Sequence, residues 1–273
     1  MKTLANHTLL YDEDCPLCNI YTAGFIKTKM LDGNGRKSFA KISNGELSFI
    51  EIERAKNEIA LVDNHTNKVF YGIDSLLKVI GNSFPNIEKI GNYKVFNFLL
   101  VKLYKFISFN RKVIAPSATK SISDKECVPT FNTKYRLFYI GFATLFTAIV
   151  LYYYSKIIVF LPNATFSREL LLALGQIGFQ FLFIQKLSKQ KQLTYIGNLV
   201  TVSITGSLIL LPILLLNSFF NLNDYFILGW FGLTVNLMIY EHYRRIKILE
   251  FPKYLTLTWI LYRVLALIII LNF

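Results

Sequence analysis

The sequence between residues 7 and 18 reads HTLLYDEDCPLC, and it decides the fold of the first half of the chain. The largely apolar residues 7–11 predict a short strand. Residues 16–30 predict a helix with Pro16 in its first turn, where the missing N–H of proline leaves no hydrogen bond unmade. The chain therefore passes from a strand into a helix with Cys15 and Cys18 at the junction.

The residues that follow this junction predict a small α/β domain. Residues 38–41 predict a second strand, and residues 47–57 predict a second helix. Residues 58–62 and 68–71 predict a hairpin, because turn-forming residues join two apolar runs. Residues 74–80 predict a third helix. The predicted order is β-α-β-α-β-β-α.

Residues 93–115 predict an amphipathic helix. Its apolar face consists of Phe96, Leu99, Leu100, Leu103, Phe106 and Ile107. Because the segment also holds five basic residues and no acidic one, the helix is a candidate to lie on an anionic membrane surface. Packing of the apolar face on the sheet of the same domain is the alternative.

Composition separates the two halves of the chain. The 273 residues are 53% hydrophobic with a mean hydropathy of +0.40, which excludes disordered and collagen-like chains. Residues 1–134 contain 19 of the 30 Lys and Arg and 13 of the 17 Asp and Glu, a net charge of +6, and residues 135–273 carry the other +7. Since the basic excess is not one patch, we expect no nucleic-acid partner.

Five apolar stretches in the second half predict membrane-spanning helices, because most of them approach the ~20 residues that cross a hydrocarbon layer. They are residues 137–160, 170–185, 195–220, 225–243 and 255–271. The Ser-, Thr-, Pro- and Lys-rich residues 116–134 predict a linker. The predicted organisation is an α/β domain at 1–115, a linker at 116–134 and an all-α transmembrane bundle at 135–273.

Basic residues predict the orientation in the membrane, since Lys and Arg collect on the cytoplasmic side. They cluster before the first stretch, after the second and after the fourth, at Lys134, Arg136, Lys186, Lys189, Lys191, Arg244, Arg245, Lys247 and Lys253. Residues 1–15 lack the apolar run of a signal peptide. We therefore expect an integral protein of the inner, or cytoplasmic, membrane with its N-terminal domain in the cytoplasm.

The spacing of Cys15 and Cys18 predicts thiol-disulfide chemistry. At a helix N-terminus, unpaired backbone N–H groups and the helix dipole stabilise a thiolate, the form of cysteine that attacks disulfides. Cys15 is the predicted nucleophile, and Cys18 is placed one turn into the helix to resolve the mixed disulfide. The hypothesis requires two sulfur atoms that are accessible, ionisable and close together.

Two features near the cysteines leave alternatives open. Asp12, Glu13 and Asp14 disfavour a thiolate beside them, yet any of the three could accept a proton if it lies near the sulfurs. A structural zinc site is the alternative for the cysteines. Such a site usually has four Cys or His ligands, and this half offers only three more, Cys127, His7 and His65. Cys127 is either a free thiol in the linker or a third redox partner.

Asp12, Cys15 and Cys18 match the pattern Asp-x-x-Cys-x-x-Cys after a first strand, and here the chain resembles the DCC family of thiol-disulfide oxidoreductases. Residues 72–75 (GIDS) are similar to the family's Gly-x-x-Ala/Ser segment after the hairpin, and residues 110–112 (NRK) to its basic ending. The resemblance covers residues 7–115. It implies a thioredoxin-like fold and a dithiol-disulfide activity at Cys15 and Cys18, with no organic cofactor.

Polar residues also occur within the predicted spans. Gln176 and Gln180 lie four apart on one helix face, and Asn198, Thr201, Thr205 and Asn236 lie on neighbouring spans. This pattern is typical either of interhelical hydrogen bonding or of a polar pocket. Arg263 lies in the middle of the last span, with Glu241 and Asp224 as candidate partners. Snorkelling of Arg263, or a last segment that does not span, is the alternative.

Two functions remain open on the sequence alone. The first is a membrane-anchored thiol-disulfide oxidoreductase with Cys15, Cys18 and Asp12 as catalytic residues and protein or small-molecule disulfides as substrates. The second is a binding or scaffold protein. Its spans would bind a lipid, a quinone or a partner subunit, and its thioredoxin-like domain would act as a sensor.

Overall fold

The computed structural model of the protein describes residues 2–43, 45, 48–118 and 129–272. The chain divides into two compact units, Met1–Asn132 and Thr133–Phe273. We call them the N-terminal unit and the helical unit. The predicted linker at 116–134 includes the boundary between them, and Cys127 lies outside the described residues.

The N-terminal unit contains a four-stranded mixed sheet with the strand order β2-β1-β3-β4. The strands are β1 (His7–Tyr11), β2 (Arg36–Ser38), β3 (Ala60–Asp63) and β4 (Val69–Tyr71). β2 is parallel to β1, whereas β3 is antiparallel to both β1 and β4. β1 is therefore an inner strand, and the residues that follow it begin at the middle of the sheet.

Side chains alternate across β1 and bury apolar residues on both faces of the sheet. Leu9 belongs to a cluster that includes Leu31 and Val79, and Leu10 to a second cluster that includes Phe39. Both leucines are buried. The sheet is thus covered on both sides, which fixes the position of the chain where it leaves β1.

The helices that the structure describes in this unit follow the predicted order closely. They are α1 (Pro16–Lys27), α2 (Ile52–Asn57), α3 (Ile73–Ser83), α4 (Pro85–Gly91) and α5 (Lys94–Ile114). α3 begins after Gly72, whose φ of +61° is a conformation that favours glycine. The strand at the start, the helix after it and the hairpin of β3 and β4 are confirmed.

Three local predictions differ from the structure. The second strand is residues 36–38 rather than 38–41, because Phe39–Lys41 turns into a short 3-10 helix that the Ser38 side chain caps. α2 begins at Ile52, and residue 47, its predicted start, lies outside the described residues. α4 was not predicted, although Pro85 at its first position is a helix-start signal.

α5 contacts the sheet through a different face from the one that its pattern predicts. Its Tyr104 hydroxyl accepts a hydrogen bond of 2.8 Å from the backbone N–H of Ile59, and its Arg111 is buried. Four members of the predicted apolar face, Phe96, Leu99, Leu103 and Ile107, are exposed instead. The prediction that the apolar face packs on the sheet is therefore wrong for these four residues.

The helical unit consists of long helices in the region the structure describes. They are α6 (Thr133–Ile157), α7 (Phe166–Ile184), α8 (Lys189–Phe219), α9 (Asp224–Ile248) and α10 (Tyr254–Asn272). Four of them, α6, α7, α8 and α10, are long and apolar enough to cross a membrane. The helical unit is therefore that of a membrane protein. α9 is not among the four, because polar residues such as Asn236 and Glu241 interrupt its apolar run.

Candidate active site

Cys15 and Cys18 lie where the chain leaves the middle of the sheet and begins α1. Cys15 is the N-cap residue of α1, and its backbone N–H donates to the carbonyl oxygen of Asp12 at 3.2 Å. Pro16 follows as the first helical residue, so the helix begins at the predicted point. Cys18 lies one turn later on the buried side of α1, within hydrogen-bonding reach of the Cys15 sulfur.

The environment of Cys15 favours its thiolate. The thiol of Cys18 hydrogen-bonds to the Cys15 sulfur and, with the backbone N–H of Cys18 and the positive charge of Arg111, lowers the pKa of Cys15 from 9.0 to about 6. Burial and the negative charge of Asp12 oppose this shift. Because Arg111 acts more strongly on Cys15 than Asp12 does, the net charge effect near this thiol is favourable.

The pKa of Cys18 is shifted in the opposite direction. Its hydrogen bond to Cys15 and its burial raise the pKa of the Cys18 thiol, and a hydrogen bond from Tyr21 only partly offsets them. Burial in turn raises the pKa of Tyr21, so this hydroxyl remains a donor. Two cysteines three residues apart therefore differ in ionisation, which is the division of roles that a nucleophile and a resolving thiol need.

Asp12 lies between the thiols and two basic side chains of α5. Its Oδ2 is 3.4 Å from the guanidinium of Arg111 and 3.4 Å from the ammonium of Lys112. Its Oδ1 accepts a hydrogen bond of 3.1 Å from the backbone N–H of Asp14. The carboxylate therefore organises the turn before Cys15 and holds Arg111 near the sulfurs. Glu13, by contrast, faces outward to Lys41 at 3.7 Å.

Arg111 is held by the end of α2 as well as by Asp12. It donates to the carbonyl oxygen of Lys56 at 3.0 Å and to that of Asn57 at 3.5 Å. Ser108, one turn earlier on α5, donates to the same Asn57 carbonyl. Sequence reasoning reached Arg111 only through the family resemblance, since 99 residues separate it from Asp12. Tyr21 and Tyr104 were missed altogether.

Both thiols are buried in this structure. Cys15 has no exposed surface and Cys18 is 6% exposed. The sulfurs are close together, as the hypothesis requires, but its requirement that they be accessible is not met in this structure.

The other candidate ligands of a zinc site do not come together within the described part of the chain. The residues described there include no group of three or more Cys, His, Asp and Glu suited to a metal ion. His7 uses its Nδ1 in a 2.7 Å contact with the carbonyl oxygen of Ala5. Cys127, the third predicted candidate, is outside the described residues.

The polar residues of the helical unit divide into two groups. Gln180 accepts hydrogen bonds from Tyr195 at 2.8 Å and from Thr258 at 3.2 Å, so it joins α7 to α8 and α10. Gln176, one turn away, is buried, and neither of its amide atoms has a hydrogen-bond partner among the residues that the structure describes. Both predicted alternatives therefore occur, interhelical bonding at Gln180 and a polar group on a cavity at Gln176.

Arg263 does not pair with either predicted partner. Glu241 binds Arg244 and Arg245 instead, at 2.7 Å and 2.8 Å. The guanidinium of Arg263 lies 4.8 Å from the ring centre of Trp259, a cation–π arrangement. No carboxylate pairs with Arg263 among residues 2–43, 45, 48–118 and 129–272.

Comparisons of this chain with protein-family models, with curated proteins and with solved structures find no match. The assignment of a chemistry to Cys15 and Cys18 therefore depends on the geometry described above and on the motif that Asp12, Cys15 and Cys18 form.

Proposed function

We propose that the chain is a membrane-anchored thiol-disulfide oxidoreductase that uses Cys15 and Cys18 as its dithiol. The observation that carries the proposal is the position of the two neighbouring thiols. Cys15 is the N-cap residue of α1, it lies within hydrogen-bonding reach of Cys18, and the positive charge of Arg111 acts on it. The hydrogen bond between the thiols lowers the pKa of Cys15 and raises the pKa of Cys18, so Cys15 is the thiol that ionises first.

The reaction follows from this division of roles. The Cys15 thiolate attacks one sulfur of a substrate disulfide, forms a mixed disulfide and releases the other sulfur as a thiolate. Cys18 then loses its proton to that thiolate and attacks the Cys15 sulfur, which releases the second substrate thiol. The substrate gains two electrons from the dithiol and two protons, one from Cys18 and one from solvent, and the chain keeps a Cys15–Cys18 disulfide. A dithiol reductant restores the reduced form by the reverse exchange.

Asp12 acts in this proposal as a positioning residue. Its carboxylate forms two ion pairs, with Arg111 and Lys112, and accepts a backbone hydrogen bond. We therefore assign the favourable charge at Cys15 to Arg111, and the placement of Arg111 to Asp12.

The arrangement of elements supports the thioredoxin-like fold that the family resemblance implies. The order β1-α1-β2-α2-β3-β4-α3 agrees with the predicted β-α-β-α-β-β-α order. The cysteines lie between the inner strand β1 and the helix α1, where a thiolate benefits from the helix N-terminus. The resemblance to the DCC family remains a proposal that rests on these features.

We also propose that α9 crosses the membrane with the other four helices and that the N-terminal unit faces the cytoplasm. The support is the alternation of basic residues between successive loops, which requires five crossings. Labelling of single cysteines with a membrane-impermeant maleimide, introduced on either side of α9 at Asn221 and Lys253 in a cysteine-free background, tests it. Labelling of the two positions from the same side would contradict five crossings.

Trapping of a mixed disulfide tests the activity. The Cys18→Ser chain retains Cys15 but lacks the resolving thiol, so it should accumulate a covalent adduct with a small aliphatic disulfide. We expect one adduct per chain by intact mass and none in Cys15→Ser. Turnover with a dithiol reductant should fall to the uncatalysed rate in both variants.

Cys127→Ser is the matched control, because it removes a thiol without touching the proposed pair. Alone it should retain the turnover of the unchanged protein, and combined with Cys18→Ser it should retain the adduct. Equal turnover in the unchanged chain and in the Cys15→Ser, Cys18→Ser double variant would overturn the proposal. Stoichiometric zinc in the purified chain would do so as well, because a metal would occupy both sulfurs.

A further inference from the structure

The helical unit contains a partly open cavity of about 490 Å³ that all five helices α6 to α10 line. This volume lies in the range of small-molecule sites, about 300–1,000 Å³. Most of its lining is apolar, with side chains such as Leu199, Val235 and Ile270. An apolar body of the length of a fatty acyl chain matches such a lining.

A group of polar atoms on the wall of this cavity has no hydrogen-bond partner within the described part of the chain. They are Oγ1 of Thr147, both amide atoms of Gln176, Nε1 of Trp259 and Nε of Arg263, and all four residues line the cavity. Each atom is buried. Buried polar groups are nearly always hydrogen-bonded, because leaving one unpaired costs roughly 1–3 kcal/mol. Four such residues on one cavity therefore indicate a ligand.

The charges at the cavity are also unbalanced. Glu169 and Arg263 both line it, but Glu169 is already paired with Arg168 at 2.7 Å. Arg263 contacts the face of Trp259 and pairs with no carboxylate among the described residues. A cation in an apolar, membrane-embedded site is costly unless a negative charge accompanies it. The ligand should therefore bring that charge.

We propose that this cavity binds a single-chain anionic amphiphile. Its acidic head would accept hydrogen bonds from Arg263, Trp259 and Gln176, and its chain would lie along the apolar lining. N–H donors predominate among the unpartnered atoms, which favours a head made of acceptor oxygens. A carboxylate and a phosphate both satisfy this requirement. This site is separate from the dithiol and does not depend on its activity.

Quenching of tryptophan fluorescence tests the proposal, because Trp259 lines the cavity whereas Trp230, which donates to Ile209 at 3.0 Å, does not. The Trp230→Phe chain reports on the cavity through Trp259. The Trp259→Phe chain, which also lacks one of the proposed donors, reports through Trp230 on non-specific partition. In neutral detergent, a dibrominated stearate should quench Trp259 saturably and Trp230 only weakly. A brominated lysophosphatidate forms a second arm and distinguishes a phosphate from a carboxylate head.

The variants that carry the test are Arg263→Gln and Gln176→Leu in the Trp230→Phe background. Loss of a charge-assisted hydrogen bond should weaken binding about tenfold or more in Arg263→Gln, and several-fold in Gln176→Leu. Arg244→Gln, which changes an arginine outside the cavity, should bind within about twofold of the parent. Circular dichroism establishes that each variant retains its helices, and Gln176→Leu carries the test if Arg263→Gln does not fold.

The outcomes are distinct. Preferential quenching of Trp259 by either acid, weakened in Arg263→Gln, supports the proposal and identifies the head group. Equal binding of brominated methyl stearate, which has no charge, overturns it in favour of a neutral ligand. Equal quenching of Trp230 and Trp259 overturns it in favour of non-specific partition.

Discussion

The thiol site of the N-terminal unit and the cavity of the helical unit treat buried charge in opposite ways. At the thiol site, Asp12 and Arg111 are both buried and pair with each other at 3.4 Å. In the cavity, Arg263 has no carboxylate beside it within the described residues. The first site is electrostatically complete within the chain. The second needs the negative charge of a ligand to balance Arg263. This difference distinguishes a proposed catalytic site from a proposed ligand-binding site.

We expect the largest effect from a substitution that removes one partner of the buried ion pair at the thiol site. Arg111→Met leaves the buried carboxylate of Asp12 with only the half-buried Lys112. Loss of one partner of a buried ion pair should destabilise the N-terminal unit by roughly 3–5 kcal/mol. Hydrogen exchange of β1 and α5 in the full chain measures this loss.

The double variant Asp12→Asn, Arg111→Met is the control for that prediction. It removes both charges, so it should regain part of the lost protection. If the amide hydrogens of Arg111→Met exchange as slowly as those of the unchanged chain, the ion pair contributes nothing to stability. The proposed electrostatic difference between the two sites is then wrong.

A second prediction compares Gln176 and Gln180, which have the same side chain one turn apart on α7. Gln176→Leu should stabilise the ligand-free helical unit by about 1–2 kcal/mol, because it removes an unpartnered amide from an apolar cavity. Gln180→Leu should destabilise it by about 1 kcal/mol, because the loss of an acceptor for both Tyr195 and Thr258 outweighs the removal of the Gln180 Nε2, which is unpartnered among the described residues. Thermal unfolding in detergent measures both, and shifts of the same sign would contradict the assignment.

The third prediction concerns the pH dependence of Cys15. Its alkylation rate in Cys18-containing protein should rise with pH around a midpoint of about 6 and level off above it. Arg111→Gln should move this midpoint upward by roughly one pKa unit, and Asp12→Asn should move it downward. Mass spectrometry of the residue-15 peptide after short exposure to iodoacetamide gives the rates.

The same pKa shift links pH to stability. Because folding lowers the pKa of Cys15, the ionised thiol stabilises the folded chain fully only above the unfolded thiol value, near 8.5. This contribution decreases as the pH falls and is lost below about 6. Cys15→Ser should remove it, so the stability difference between the two chains should shrink as the solution is acidified.

The smallest expected effect is that of Lys112→Gln. Lys112 forms the same 3.4 Å contact with Asp12 as Arg111 does, but its side chain is 25% exposed against 7% for Arg111. Solvent screens such a pair, so its loss should cost only about 0.5 kcal/mol. If Lys112→Gln destabilises the unit as much as Arg111→Met in the same hydrogen-exchange measurement, burial does not determine how much each cation contributes to stability.

The sequence predicts local features of this protein well. The strand at residues 7–11, the helix that starts at Pro16 and the hairpin of β3 and β4 follow from apolar runs and turn residues that are close together in the chain. The two cysteines and Asp12 could be placed at a strand-to-helix junction for the same reason. β2 ends at Ser38 rather than at residue 41, because the Ser38 side chain caps the short helix that follows.

What the sequence could not predict depends on contacts between distant residues. Nothing local shows that Arg111 meets Asp12, or that the polar side of α5 approaches the sheet while Phe96 and Leu103 remain exposed. Likewise Gln176 and Gln180 are equivalent on a helical wheel. Only the neighbouring helices decide that one is bonded and the other faces a cavity.

The complete burial of Cys15 has a consequence for the protein's resistance to oxidants. Peroxide damage to cysteine follows both thiolate character and access, and it proceeds irreversibly to sulfinic and sulfonic acids. Cys15 combines a pKa of about 6 with no exposed surface. We expect such a buried sulfur to survive peroxide concentrations that would inactivate an exposed thiolate. It should react only with a molecule whose binding exposes it.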